Sequence, residues 1–188
     1  MYEQLFGKKI TLRKAIDKDY KSMLVNVWGD EEIYRHMLFK PVFTEEDAKD
    51  RCRWSKEYQQ DNYAYFVTLK DSDEAIGLCS INEYQQGHFE EAGICIGKSF
   101  QGKGYGKETL YLLLDLAFDK LAAKDFKYGC FRENVKSKSL AKHFGFNYKY
   151  TYSVTRTWDE SKKTIDSYLL TRSEYYDNAS RMESFLYT

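Results

Sequence analysis

The chain has 188 residues, 43% of them hydrophobic and 17% aromatic, which is typical of a folded globular protein and not of a disordered segment. Its 29 lysines and arginines balance its 29 aspartates and glutamates, which argues against a general nucleic-acid-binding protein. The first twenty residues lack the apolar run of a signal peptide, and no segment approaches the roughly 20 apolar residues of a membrane span. Four widely spaced cysteines and three scattered histidines predict buried reduced thiols, no metal site and a cytoplasmic protein.

The first part of the chain predicts one strand followed by three helices. The strand lies around Ile10–Arg13, and Asp17 or Asp19 caps the first helix, whose apolar residues recur at helical spacing from Tyr20 to Trp28. A short helix follows within residues 29–37. Thr44 then opens a third helix through a capping box, and this helix should run to about Gln59.

The rest of the chain predicts strands interrupted by two further helices. Residues 63–69 and 75–84 form a hairpin, and 89–97 is the next strand. A long helix with apolar residues from Leu110 to Leu121 follows, then a strand over 126–132 and a short helix over 136–144. Strands over 146–154 and 164–172 complete a mixed α/β (α+β) fold, predicted as one domain over residues 1–188 with a core of about 8–175 and a peripheral stretch 176–188.

The segment Gln101–Gly106 has the sequence Q-G-K-G-Y-G and lies between a strand and the longest predicted helix. Backbone N–H groups of such a turn point into one concavity, and the positive end of the helix dipole favours an anion there, so the segment predicts a phosphate site. The alternative is a glycine-rich connection without a ligand. The chain has no G-x-x-x-x-G-K-[ST] segment, which excludes a P-loop, and the spacing of Gly102, Gly104 and Gly106 excludes the dinucleotide fingerprint.

This segment resembles the Q/R-x-x-G-x-G/A pyrophosphate loop of the GNAT N-acetyltransferase superfamily, which binds acetyl-CoA. The preceding "EAGICIG" is similar to the strand that the family places before its loop. Asn134–Phe146 resembles the N-x-x-S…G-F segment of the ribosomal-protein-alanine acetyltransferase-like branch. The resemblance covers roughly residues 8–175. It implies a mixed, mostly antiparallel sheet of six to seven strands with a splayed central strand pair, flanked by helices.

The resemblance also implies which residues hold the cofactor, with no metal involved. The strand Gly93–Ile96 would pair with the pantetheine arm through its backbone, and an N–H near Ile94 or Cys95 would polarise the thioester carbonyl. Asn134 would contact the cofactor arm, although it could equally cap the next helix. Backbone amides would bind the diphosphate, and two lysines would add charge; the residues concerned are Gln101, Gly102, Lys103, Gly104, Tyr105, Gly106 and Lys107.

Acetyl transfer to an amine requires a base for the amine and an acid for the leaving thiolate. Glu91, at the start of the strand beside the acetyl group, is the first candidate base, and Glu83 is the second; both could instead attract a cationic substrate. Ser137 matches the serine that some members of the branch place near the leaving sulfur, but it could simply begin a helix. Many other members have a tyrosine acid at the position of Ala141, which this sequence lacks.

The sequence therefore predicts an acetyl-CoA-dependent N-acetyltransferase that acts by direct transfer in a ternary complex. Its acceptor is a primary amine, either a protein N-terminus or a small cationic amine such as a polyamine. A set of acidic residues is compatible with the cationic amine: Asp30, Glu31, Glu32, Glu83, Glu90 and Glu91. The missing tyrosine leaves open a catalytically inactive acyl-CoA-binding sensor or interaction module, and exposed strands near the C-terminus would allow a homodimer.

Overall fold

The computed structural model describes residues 2–178, in which eight strands and six helices form a mixed α/β fold. The strands follow the order β1-β2-β3-β4-β5-β6-β8-β7, and most neighbours are antiparallel, whereas β5 and β6 are parallel. Their bounds are β1 Gln4–Phe6, β2 Ile10–Arg13, β3 Tyr63–Leu69, β4 Ala75–Gln85, β5 His88–Ile96, β6 Asp125–Phe131, β7 Asn147–Thr155 and β8 Lys162–Thr171.

The helices include two that change to a π-helical turn at their C-terminal ends. They are α1 Asp19–Met23 with its π turn Leu24–Trp28, α2 Glu31–Tyr34, α3 Glu45–Gln60, α4 Tyr105–Asp115 with its π turn Leu116–Lys120, α5 Val135–His143, and α6 over residues 172–178. Within the described part of the chain, no helix is both long and apolar enough to cross a bilayer.

The predicted fold class is confirmed, and the sheet has one strand more than the six to seven expected. The additional strand, β1, is only three residues long, which is too short to show the alternation of apolar and polar residues that identifies a strand in the sequence. The parallel pairing of β5 with β6 covers three positions, His88↔Asp125 to Glu90↔Lys127. Such a short pairing is what a splayed central strand pair requires.

The chain divides into two compact units. The first consists of residues up to Ile81 together with Ala92–Leu112, and the second of Asn82–Glu91 together with the residues from Leu113 onward. The core of the first unit packs α1, α2 and α3 against the sheet and includes Met23, Val27, Trp28, Ile33, Cys52 and Phe66. The core of the second unit is rich in aromatic contacts, such as the edge-to-face pair Phe126–Phe146 with ring centroids 6.1 Å apart. One domain over residues 1–188 stays a prediction.

The structure has the predicted N-cap of α3 but not that of α1. Thr44 accepts a hydrogen bond from the N–H of Asp47 at 3.1 Å, which confirms the predicted cap of α3. The predicted cap of α1 by Asp17 or Asp19 is wrong, because Lys18 precedes the helix without a side-chain cap. Asp19 instead forms a buried ion pair with Arg13 at 2.7 Å, an interaction that no local pattern signals.

The C-terminal helix α6 contributes one aromatic residue to the core of the second unit. Tyr175 is buried, stacks on Phe118 with ring centroids 4.5 Å apart and donates a hydrogen bond to Asp119 at 3.0 Å. Residues 179–188, the larger part of the stretch expected to be peripheral, lie outside the described residues.

The alternating tyrosines of β7 are exposed. Tyr148, Tyr150 and Tyr152 keep 55%, 48% and 41% of their surface accessible. Alternation shows that such residues share one face, but it does not show whether anything covers that face. A register shift between Tyr148 and Tyr150 further interrupts the regular pairing with β8.

Candidate active site

The glycine-rich segment connects β5 to α4 and is anchored by its first residue. After Ile96 the chain makes one short 3₁₀ turn, Lys98–Phe100, and the segment Gln101–Gly104 then leads into α4. The Gln101 side-chain amide donates to the carbonyl of Ile96 at 2.9 Å. This bond ties the loop to the end of β5 and gives Gln101 a clear structural function.

Two of the loop glycines have a backbone conformation that other residues rarely adopt. Gly102 and Gly104 have φ of +81° and +89°, in the left-handed region. Gly106 has no positive φ, and a Cβ there would lie 3.9 Å from Ile96 Cγ1, an ordinary contact. The backbone therefore requires glycine at 102 and 104, whereas position 106 has room for a methyl group.

The N-terminus of α4 presents backbone donors at this loop. The first backbone hydrogen bond of α4 runs from the N–H of Glu108 to the carbonyl of Gly104 at 3.1 Å. The N–H groups of Gly104, Tyr105 and Gly106 therefore precede the hydrogen-bond ladder of the helix. Gly102, Lys103 and Gly104 are exposed to solvent. Donors, helix dipole and glycine conformation together fit the diphosphate of acetyl-CoA.

Sequence reasoning missed two residues beside this loop, Glu108 and Lys9. Glu108 is buried, and its Oε1 accepts from the N–H of Lys9 at 2.8 Å and of Ile10 at 3.4 Å, so it holds the β1–β2 turn against α4. The Lys9 ammonium donates to the carbonyl of Lys103 at 3.5 Å, a long contact that brings a further positive charge to the loop. An acidic residue in the first turn of α4 gave some indication of Glu108. Nothing local indicated Lys9, because 94 positions separate it from Lys103.

The part of β5 expected to hold the pantetheine arm contains a backbone irregularity at Gly93. Its φ of +134° lies outside the range of ordinary strand residues, and a Cβ there would lie 3.7 Å from Met37 Cε. Cys95 and Ile96 are buried and Ile94 is partly buried, so their side chains belong to the core. The Ile96 carbonyl accepts from the Gln101 side chain, so the end of β5 is tied to the loop.

Asn134 and Ser137 form a small polar cluster with Tyr128 in the second unit. Asn134 Oδ1 accepts from the N–H of Ser137 at 3.1 Å, so Asn134 caps α5. The Ser137 hydroxyl lies 2.7 Å from the Tyr128 hydroxyl, and either can be the donor. Burial raises the pKa of Tyr128, and the nearby Glu91 carboxylate raises it further, so the phenol keeps its proton at neutral pH. Tyr128 is a hydroxyl partner of Ser137 that sequence reasoning missed.

The family model described as an acetyltransferase (GNAT) domain matches residues 9–147. The chain belongs to the GNAT acetyltransferase family. It is an N-acetyltransferase, and the acetyl donor of this family is acetyl-CoA.

Known proteins similar to this acetyltransferase cover nearly its whole length. The uncharacterized N-acetyltransferase p20 of Bacillus licheniformis is 27% identical over 179 residues, which are 92% of this chain and 98% of p20. A GCN5-related N-acetyltransferase from Brucella melitensis shares the fold with a TM-score of 0.85 at 18% identity, over 99% of this chain and 86% of that chain. The microcin C7 self-immunity acetyltransferase MccE, solved in complex with acetyl-CoA and AMP, has a TM-score of 0.73 at 21% identity, over 88% of this chain and 93% of its own.

The two candidate bases of the acetyltransferase have different surroundings. Glu83 is exposed, and its Oε1 accepts from the N–H of Gly87 at 2.7 Å, which closes the turn between β4 and β5. Glu91 is partly buried, and its charge acts on the pKa of Tyr128. The structure thus gives Glu83 a local structural function and places Glu91 close to the Tyr128–Ser137 pair.

Other side chains considered from the sequence have structural surroundings. Ala141 is fully buried, so the position where other GNAT members have a tyrosine contributes only to the core. Asp30 caps α2 by accepting from the N–H of Glu32 at 2.9 Å. Glu32 itself pairs with Arg35 at 3.0 Å and with Lys98 at 3.1 Å. Within residues 2–178, no group of three or more His, Cys, Asp or Glu side chains is arranged to hold a metal ion.

Proposed function

We propose that this acetyltransferase transfers the acetyl group of acetyl-CoA directly to a primary amine in a ternary complex. The observation that carries the proposal is the loop at the N-terminus of α4, where Gly102 and Gly104 adopt left-handed conformations and backbone N–H groups precede the helical ladder. When bound, acetyl-CoA supplies an acetyl group activated as a thioester. The loop amides from Gln101 to Lys107, assisted by Lys103, Lys107 and Lys9, would hold its diphosphate.

The backbone of β5 is proposed to orient the acyl group. An N–H of Ile94 or Cys95 would donate to the thioester carbonyl and stabilise the negative charge that develops on its oxygen. The positive φ of Gly93 bends the strand directly before these residues, which supports a strand that departs from regular pairing here. Asn134 would contact the cofactor arm through groups not used in capping α5.

Proton transfer is assigned to Glu91, Ser137 and Tyr128. Glu91 would accept the proton of the acceptor ammonium, because only the neutral amine is nucleophilic. Ser137 would donate its hydroxyl proton to the departing sulfur and recover one from Tyr128, whose hydroxyl is 2.7 Å away. The raised pKa keeps Tyr128 a neutral phenol at neutral pH, so the proton it gives must be replaced at once. Glu91, by passing on a proton taken from the reacting nitrogen, would restore the phenol. Tyr128 would thus supply the phenol that other members of the family supply from a tyrosine at the position of Ala141.

The acceptor classes are a protein N-terminus, by similarity to the ribosomal-protein-alanine acetyltransferase-like branch, and a small amine. The acidic residues that favour a polyamine have protein partners, since Glu32 pairs with Arg35 and Lys98 and Glu83 closes a turn. These contacts weaken the electrostatic argument for a cationic acceptor.

Quaternary structure and compartment stay proposals. β7 ends the strand order and exposes three tyrosines, so it is the surface we assign to the predicted homodimer. The molar mass from light scattering tests this assignment, with a monomer as the contradicting result.

All four cysteines are buried thiols without a disulfide, which supports a reducing compartment such as the cytoplasm.

Isothermal titration with acetyl-CoA, followed by a thiol-release assay over a panel of amines and peptides, tests the proposed function. We expect saturable cofactor binding and amine-dependent release of CoA. Cofactor binding with no thiol release from any acceptor would favour the inactive acyl-CoA-binding module instead.

A matched pair of variants tests the proposed base. Glu91→Gln should lower kcat by about 100-fold or more, the usual contribution of a positioned base. Glu83→Gln, the control, should keep kcat near that of the parent protein. Equal loss of activity in both variants, or none in either, would remove Glu91 from the mechanism.

A further inference from the structure

Arg51, on the second turn of α3, lies between two aromatic rings. Its guanidinium carbon is 5.6 Å from the ring centroid of Trp28 and 5.4 Å from that of Phe39. The rings attract the cation through their negative faces and hold the guanidinium plane in a defined orientation. Trp28 is itself almost fully buried, so one wall of this cage is rigid.

The Arg51 guanidinium has a buried donor without an acceptor. Nη1 is inaccessible to solvent and forms no hydrogen bond, and no ion pair involves Arg51 within residues 2–178. Asp47, one turn earlier on α3, accepts instead from the hydroxyl of Thr44 at 2.6 Å. Burial accordingly lowers the pKa of Arg51, and the charge of Asp47 only partly offsets this effect.

Packing alone does not explain an arginine at this position. A buried donor without a hydrogen-bond partner is destabilising, and an apolar side chain of similar length would fill the same space without that cost. The observation points to an acceptor supplied by a ligand. A planar guanidinium binds carboxylates in a bidentate manner, which makes a carboxylate the fitting class.

The position of the cage connects it to the proposed transfer site. Met37, two residues before Phe39, has its Cε 3.7 Å from the position of a Cβ on Gly93. Met37, Phe39 and Trp28 also pack in the same core cluster as Cys95. The arginine cage thus adjoins the segment of β5 to which we assign the acyl group. A group attached to the acceptor amine would extend from β5 toward Arg51.

We propose that Arg51 binds a carboxylate of the acceptor, so that the substrate is an amine that also carries a carboxylate. The inference rests on the proposed function, because the amine must react at β5. A substrate that must carry a carboxylate excludes polyamines as acceptors. The carboxylate of a free amino acid and the acidic side chain of a peptide near its N-terminus supply the same group, and the experiment distinguishes these two sources.

Steady-state kinetics of Arg51→Met provide the test, with free amino acids, the corresponding amino-acid amides, and short C-terminally amidated peptides with glutamate or glutamine as the second residue. Methionine keeps the apolar volume between the rings and removes the charge. We expect KM for carboxylate-bearing acceptors to rise about 10-fold or more, with kcat less affected. Amides and glutamine peptides should be poor acceptors for the parent protein and insensitive to the substitution. The better of the two carboxylate sources identifies the substrate class.

Arg53→Met is the matched control on the same helix. Arg53 is 68% exposed in its side chain and pairs with Asp50 at 3.1 Å, so its loss should leave the KM of every acceptor unchanged. Acetyl-CoA affinity, measured by titration, should be the same in both variants. Two results would overturn the proposal. The parent enzyme could use amides or polyamines as well as it uses carboxylate-bearing acceptors, or Arg51→Met could leave KM unchanged.

Thermal unfolding separates recognition from folding. Because Arg51 has a buried unpartnered donor, Arg51→Met should unfold at the parental temperature or above it. A large decrease with unchanged KM would mean that Arg51 is only structural. Carboxylate-bearing acceptors, but not their amides, should raise the unfolding temperature of the parent protein, and the absence of this difference would also overturn the proposal. The unfolding measurement does not depend on catalysis. Failure of the proposed function would instead appear as the absence of acetyl-CoA binding.

Discussion

Replacing Gly104 by alanine tests the loop conformation directly. A Cβ at this position would meet only the flexible end of Lys9, whose Nζ is 3.9 Å away, so the penalty comes from the backbone. The φ of Gly104 is +89°. A left-handed conformation costs about 1–2 kcal/mol for a residue with a side chain. The free loop of the variant should relax away from this conformation, and cofactor binding must then restore it. Acetyl-CoA binding should therefore weaken about 5- to 30-fold.

Gly106→Ala is the control, because Gly106 has no positive φ and its Cβ position has room beside Ile96. Isothermal titration of both variants with acetyl-CoA measures the effect, and thermal unfolding checks that both are folded. Gly106→Ala should bind within about twofold of the parent protein, since its backbone is unstrained. Parental affinity in Gly104→Ala, or a greater loss in Gly106→Ala, would refute the argument that the glycine conformation forms the binding loop.

Three further predictions concern catalysis, stability and thiol chemistry. Tyr128→Phe should lower kcat about 10-fold or more without changing acetyl-CoA affinity, and an unchanged kcat would show that Ser137 acts without this partner. Asp19→Asn breaks a buried ion pair with Arg13 and should reduce the free energy of unfolding in urea by about 3–5 kcal/mol; a loss below about 1 kcal/mol would mean that the pair is effectively solvated. All four cysteines are buried, and burial raises the pKa of Cys52 to about 11, so dithiobis(nitrobenzoate) at pH 8 should modify the thiols only after unfolding. Rapid modification of the folded protein would contradict the burial of the cysteines.

Local features of the sequence were sufficient for most elements and for the position of the glycine-rich turn before α4. The cap at Thr44 and the glycine alternation from Gly102 to Gly106 depend on backbone chemistry within a few residues, and both lie at the predicted helix starts. The strand from Tyr63 to Leu69 is likewise bounded by turn residues on both sides. Signals of this kind are independent of the rest of the fold, which explains why they were reliable.

The parts of the site that sequence could not predict depend on long-range contacts. Glu108 meets Lys9 across 99 positions, so no window of sequence contains both residues. The Ser137–Tyr128 pair joins a helix start to a strand residue whose hydroxyl has no role in the strand pattern. The acidic residues illustrate a further limit. Composition gives the number of charges but not their ion-pair partners, such as Lys98 for Glu32.

A crystal structure of the protein with coenzyme A is the most direct test of the central claim. The claim predicts diphosphate oxygens about 2.7–3.2 Å from the backbone nitrogens of the loop between Gly102 and Lys107. A diphosphate bound elsewhere, with these amides facing solvent or protein, would contradict it.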